Sequence, residues 1–204
     1  MNSGPKSQLP IYAAVLFCLA LCPMPAEAHL TSTGMGPIYD GLVHFLMSPE
    51  DFVPVLALAL LAGLRGAAYG RRALFTLPGA WLLGGFVGMS AAATNGNAII
   101  AAVWFLLLGG LLAADMNLSL RLVTGLAVLL GLYNGYLNGT GMGEFGTASV
   151  ALLGLVFAVF VLVAFATAFV VRLRAQWARV SVRVAGSWIF ASGLLMLGWA
   201  TRRH

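Results

Sequence analysis

This chain of 204 residues has few charged side chains. Charged side chains make up 8% of it, whereas soluble domains carry about a quarter, and hydrophobic residues make up 61%. This deficit excludes an ordinary soluble domain and leaves a chain whose apolar runs cross a lipid bilayer. The basic residues after Lys6 are all arginines at the edges of apolar segments. Their placement indicates membrane topology and not a nucleic-acid partner.

Cysteine and histidine are also scarce. The two cysteines, Cys18 and Cys22, both fall in a leader segment, so the mature chain has no disulfide and no Cys-ligated metal. Three histidines leave little for acid–base catalysis, and the chain has no Walker-type phosphate loop, no GxSxG elbow and no HExxH motif. The sequence predicts no enzyme, no catalytic residues and no permanently bound cofactor.

Residues 1–28 resemble a secretory signal peptide. Lys6 supplies the positive charge, residues 9–22 the short apolar run, and residues 26–28 the small-x-small cleavage pattern. An uncleaved anchor helix is the alternative. Cleavage would make His29 the new N-terminus, where its α-amine and ring nitrogen could both bind a metal ion. A histidine at this position by chance is the other interpretation.

The rest of the chain, residues 29–204, is predicted to be one all-α domain with six transmembrane helices. Each apolar segment has about the length that a bilayer requires, and backbone groups in hydrocarbon must be satisfied within the segment. The predicted spans are 51–69, 73–93, 98–115, 118–137, 148–171 and 183–200.

Arginine sets the expected orientation. With the mature N-terminus outside, eight arginines face the cytoplasm and two face out, as the positive-inside rule requires. This predicts a bacterial inner-membrane protein with a periplasmic N-terminus. Most acids, including Glu144, then lie on the outer side, where they either attract cations or are simply solvated.

A short amphipathic helix over residues 36–47 is predicted before the first span, at the outer interface. Asp40 and His44 are four residues apart on its polar side. This pair could bind a cation, or Asp40 could orient the imidazole ring through a hydrogen bond. Both interpretations stay open.

The next residues are explained in part by helix capping. Ser48 suits an N-cap, Pro49 the first helical position, and Glu50 and Asp51 the positive end of the helix dipole. The alternative is that both carboxylates are metal ligands. Capping does not explain His44, and ionisable groups near hydrocarbon indicate a functional site.

The fourth predicted span carries glycines every four residues, at Gly131, Gly135 and Gly139, with Gly143 beyond them. Such a stripe allows close helix packing in lipid. Asn134 and Asn138 lie one turn apart beside the stripe. They could line a polar translocation path or form interhelical hydrogen bonds. Tyrosines and tryptophans, Trp81 among them, are interpreted as anchors at the membrane interface.

These motifs together resemble the HupE/UreJ family of nickel permeases and accessory proteins of hydrogenase and urease. The likeness covers nearly all the mature chain: a leader cut before a histidine, then TGMG (33–36), GLVHFLMSP (41–49), VLALALLAGL (55–64) and YNGYLNGTG (133–141). Of the family's histidines, His44 is retained, but Ser48, Asn134 and Asn138 stand at the places of others. Amide and carboxylate oxygens suit harder ions than imidazoles do.

The resemblance implies an inner-membrane permease for a divalent metal ion, nickel or cobalt. His29, Asp40, His44, Glu50 and Asp51 would gather the ion, and the two asparagines would pass it on. The alternative is a non-transporting accessory or assembly protein for a metalloenzyme. Expected partners are the lipid bilayer, the metal ion, and either a second copy of the chain or metalloenzyme maturation proteins.

Overall fold

Every regular element of the described chain is an α-helix. A computed structural model describes residues 33–92, 94, 96–142, 146–173 and 176–202. Its seven helices are α1 (Pro37–Met47), α2 (Pro49–Arg65), α3 (Ala67–Met89), α4 (Ala98–Ala113), α5 (Leu120–Met142), α6 (Ala148–Arg172) and α7 (Gln176–Thr201). The all-α prediction is confirmed. The predicted signal peptide, His29, Gly143 and Glu144 lie outside the described residues.

Sharp breaks between consecutive helices follow from proline and glycine. Pro37 and Pro49 begin α1 and α2, where the missing N–H costs no intrahelical bond. The two helices meet at Ser48 with a bend of 76°. Gly66 separates α2 from α3 with a φ of 110°, a conformation that L side chains rarely adopt.

The α3 and α5 helices run parallel in backbone-to-backbone contact. A Cβ atom at Gly131, Gly135 or Gly139 would overlap the carbonyl oxygen or side chain of the α3 residue facing it, and Gly84 and Gly88 lie in the same way against α5. Only glycine permits this approach, which is the small-residue packing expected of membrane helices.

Two other helix pairs are also packed closely through glycines. Gly41 of α1 lies against the carbonyl of Ala151 in α6, and Gly154 of α6 lies against the carbonyl of Ile38 in α1. Antiparallel α4 and α7 meet at Gly109 and Gly186. The largest buried side chains, which include Trp81, Phe45, Leu58 and Leu130, fill the space between the helices.

Fewer helices qualify as membrane spans than the six predicted. By length and composition, three of the described helices could cross a membrane, in the ranges Leu120–Met142, Ala148–Arg172 and Arg179–Thr201, and a fourth span results if the bent α1–α2 pair counts as one. At 16 residues, α4 is short, and α3 contains Arg71, Arg72 and five glycines that lower its apolar content. Six spans are therefore not confirmed.

Most of the described arginines gather at one end of the molecule. Arg65 at the end of α2 pairs with Asp115 and donates to Asn117 in the loop after α4. Arg183 donates to the carbonyl of Ala113, and Arg179 to that of Leu64. The ends of α2 and α4 and the start of α7 therefore meet here.

Candidate functional site

A chain of side-chain hydrogen bonds joins three helices at the end opposite the arginines. The Nε2 atom of His44 in α1 lies 2.9 Å from the Oδ1 atom of Asn138 in α5. The Nδ2 atom of Asn138 donates to the carboxylate Oδ2 of Asp51 in α2 at 3.0 Å and to the backbone carbonyl of Asn134 at 2.9 Å. The amide of Asn138 therefore connects an imidazole to a carboxylate.

We call the hydrogen-bonded groups His44–Asn138–Asp51 the relay. The bond from Asn138 to the carbonyl of Asn134 determines which groups of the relay donate and which accept. A backbone carbonyl only accepts, so the group of Asn138 that faces it must be the NH₂ and the group that faces His44 must be the oxygen. The ring nitrogen Nε2 of His44 then carries the proton and donates. In the neutral ring the lone pair then lies on Nδ1, the ring nitrogen that does not face Asn138.

Packing of aromatic rings holds the bend that presents these groups. Phe45, which follows His44, is fully buried, and its ring lies 5.9 Å from that of Phe52 and 6.0 Å, edge to face, from that of Trp81. Phe52 in turn follows Asp51. The Ser48 hydroxyl donates to the carbonyl of His44 at 2.8 Å and ties the two sides of the bend together.

The site is polar but secluded. Asp51, Asn134 and Asn138 retain 7%, 5% and 8% of their exposure. The side-chain nitrogen of Asn134 is buried and makes no hydrogen bond to any described residue. A buried donor without a partner is costly. Beside the relay, this amide is therefore a group that a bound water or ligand would satisfy.

Asp51 lies in the first turn of α2, as the helix-start interpretation expects, and its carboxylate also has a distant partner. Ser48 is the N-cap residue, but its side chain makes no capping bond to α2. The carboxylate of Asp51 accepts from Asn138, which is 87 residues away. Burial strengthens this hydrogen bond because it removes the competing water.

The direct hydrogen bond that was one of the two interpretations of Asp40 and His44 is not formed. The Oδ1 atom of Asp40 accepts from both the backbone N–H and the hydroxyl of Thr33, each at 2.6 Å. His44 turns instead to Asn138. Asp40 therefore organises the segment before α1 and takes no part in the relay.

Of the remaining predicted ligands, Glu50 is exposed and forms no hydrogen bond or ion pair with the described part of the chain. His29 lies outside that part. Within the described ranges, no three or more His, Cys, Asp or Glu side chains come together in a way that could hold a metal ion. A cation at the relay would depend on amide oxygens as well as on His44 and Asp51.

Trp81 is a site-supporting residue that the sequence did not reveal. It was expected to anchor the membrane interface, but it is fully buried and contacts Phe45. Its indole nitrogen is buried without a hydrogen-bond partner among the described residues. The signal available in the sequence was its position: Trp81 lies three residues before Gly84, on the glycine-rich part of α3. Trp177 and Trp188, by contrast, are 75% and 73% exposed, as interface anchors would be.

Comparison with known proteins identifies the family. The family model described as "HupE / UreJ protein" matches residues 16–196. No curated protein and no solved structure matches the chain. The match covers most of the sequence, and the chain belongs to the HupE/UreJ family.

Proposed function

Given that this chain is a HupE/UreJ protein, we propose that it is an inner-membrane permease for a divalent metal ion of the nickel or cobalt type. The observation that carries the proposal is the relay His44–Asn138–Asp51, in which an imidazole, an amide and a carboxylate from three helices converge. Polar groups inside an apolar helical protein are characteristic of ion pathways.

The donors of the relay suit a transported ion better than a permanently held one. An imidazole, a carboxylate and an amide oxygen offer a mixed set of nitrogen and oxygen ligands, which suits Ni²⁺, Co²⁺ or Mn²⁺. Few charged ligands make binding weak enough for release, which conduction requires. Asn134, one turn from Asn138, offers the next polar group along α5.

The remaining outer groups would act before the relay. Glu50, exposed beside Asp51, and Asp40 at the start of α1 would raise the local cation concentration. His29 would add an amine and an imidazole if the leader is cleaved. The arginines at the other end would then face the cytoplasm.

Uptake of radioactive Ni²⁺ or Co²⁺ into cells that lack their own high-affinity uptake tests the proposal. We expect wild-type protein to raise uptake and His44→Ala to abolish most of it. Met47→Ala, an exposed change on the same helix, serves as the control and should leave uptake intact. If wild-type protein moves none of the divalent ions Ni²⁺, Co²⁺, Mn²⁺ and Mg²⁺, although it is present in the membrane, transport is rejected.

A second function, that of a non-transporting accessory protein in metalloenzyme assembly, is supported by a different observation. The described residues contain no cluster of three or more strong metal-binding side chains, and asparagines take the places of histidines in the fourth predicted span. This function predicts a stable partner protein on purification, and unchanged metalloenzyme activity in cells carrying His44→Ala or Asn134→Leu. Loss of that activity in either variant, restored by added metal, would favour the permease.

A further inference from the structure

Two adjoining cavities open at the arginine end, between α3 and α5. One has a volume of about 650 Å³ and is lined by Arg72, Arg121, Gly125 and Leu129, among others. The second, of about 480 Å³, is lined by Arg71, Arg72 and Phe75. Both share Arg72 and Leu120, so they form one continuous groove, which we call the α3–α5 groove.

The α3–α5 groove carries positive charge that the described residues do not neutralise. Arg71, Arg72 and Arg121 are exposed, and their guanidinium groups form no hydrogen bond or ion pair with the described residues. Asp115, the acid that the described chain places at this end, is already paired with Arg65. Three free guanidinium groups around one opening are suited to a phosphate group.

The helices add to this charge. Parallel α3 and α5 begin at Ala67 and Leu120, so the positive ends of both helix dipoles lie at the groove. Arg121 stands in the first turn of α5. An anion near the arginines would therefore be favoured by the two helix dipoles as well as by the side chains.

Beyond the arginines, the groove becomes apolar. A Cβ atom at Gly125 would meet nothing within 4 Å, so this glycine leaves a notch in the surface of α5. Leu129, 59% exposed, continues the groove one turn further, and Phe75, 68% exposed, lies on the α3 side. A ligand that fits has an anionic head and a hydrocarbon tail.

We propose that the α3–α5 groove is a binding site for an anionic phospholipid of the membrane leaflet at the arginine end. Arg72 and Arg121 hold the phosphate, Arg71 contacts the rest of the headgroup, and one acyl chain runs over Gly125 and Leu129. Charge complementarity selects an anionic over a zwitterionic lipid. The site is separate from the relay and does not depend on the transport proposal.

Native mass spectrometry of the full-length protein, released from micelles with phosphatidylglycerol or phosphatidylcholine, tests this site. We expect wild-type protein to retain phosphatidylglycerol in preference to phosphatidylcholine. Each arginine near a membrane surface contributes about fivefold in affinity, so Arg72→Gln with Arg121→Gln should reduce retention roughly 30-fold. Arg172→Gln with Arg202→Gln removes the same charge elsewhere and should retain the lipid.

A second variant tests whether the shape of the groove, and not only its positive charge, contributes to lipid binding. Gly125→Leu fills the notch without changing charge and should lower phosphatidylglycerol retention several-fold, while Gly198→Leu, also at an open glycine, should not. The proposal is overturned if the wild type retains both lipids equally, or if the double arginine variant and Gly125→Leu both retain phosphatidylglycerol like the wild type. Melting temperatures measured in the same detergent show that each variant is folded.

Discussion

The Nε2 atom of His44 and the Oδ1 atom of Asn138 lie 2.9 Å apart, although 94 residues separate them in the chain. The same amide donates to the carboxylate of Asp51 in α2. Asn138 thus forms hydrogen bonds with both ionisable groups of the relay.

Replacing Asn138 should cost more stability than replacing Asn134, although both are almost fully buried. Asn138→Leu leaves the buried carboxylate of Asp51 without its donor, at about 1–3 kcal/mol, and also removes the acceptor of His44. Asn134→Leu removes a side-chain nitrogen that has no protein partner. Equilibrium unfolding in mixed micelles measures the difference.

The same pair of variants distinguishes a structural asparagine from a functional one. If Asn134 contacts the transported ion, Asn134→Leu should keep most of its stability and lose metal uptake. Equal stability losses in the two variants would contradict the hydrogen-bond assignment, whichever way uptake responds.

The close contact of α3 with α5 predicts a strong effect of a single methyl group. Gly135→Ala places a Cβ atom against the carbonyl of Trp81 and should destabilise the protein by about 1–3 kcal/mol through overpacking. Gly141→Ala, on the same helix but at an open position, should be neutral or stabilising by about 0.5–1 kcal/mol. Thermal unfolding in detergent gives the order, and a Gly135→Ala protein as stable as Gly141→Ala would be incompatible with the described helix contact.

At the arginine end, the ion pair between Arg65 and Asp115 should stabilise the loop after α4. Asp115 has a φ of 49°, a left-handed conformation that Asp and Asn tolerate better than most residues. Asp115→Asn should therefore keep the backbone and lose only the charge interaction, about 1–3 kcal/mol. In an Arg65→Ala background the same substitution should have little further effect, and a full additional loss there would show that the two residues act independently.

Phe45 should be the most sensitive residue of α1. Phe45→Ala empties a fully buried space between Phe52 and Trp81 and should cost about 3–5 kcal/mol. The loss of the ring should also shift the fluorescence of Trp81 to the red as water enters. Met47→Ala, at a 73% exposed position, should change neither stability nor spectrum. Matching unfolding curves for the two variants would place Phe45 outside the core.

Periodicity in the sequence was sufficient for much of the fold. The predicted spans 98–115 and 148–171 correspond to α4 (Ala98–Ala113) and α6 (Ala148–Arg172) within two residues at each end. The glycines of α5 recur every four residues, so their common face could be recognised without coordinates. The last helix was placed at 183–200 but begins at Gln176, because its first turns carry arginines that an apolar pattern does not include.

Long-range partners were beyond the reach of such patterns. Ser48 and Asp51 fit a helix start by spacing alone. Nothing in the neighbouring sequence shows that an amide 87 residues away donates to the carboxylate of Asp51. For the same reason Asp40 was paired with its neighbour on the helix and not with Thr33, which precedes the helix. Trp81 was assigned to the interface because tryptophan is common there, whereas its burial depends on the packing of α1.

The 76° bend at Ser48 separates α1, which carries the imidazole of His44, from α2, which carries the carboxylate of Asp51. The amide of Asn138 bonds to both groups. A change in this angle would move the imidazole of His44 relative to the carboxylate of Asp51. Helix α5, which packs against α3 through its glycines, would keep its position. If the relay binds an ion as proposed, its affinity should depend on the angle between α1 and α2, and a small rotation of α1 should release the ion.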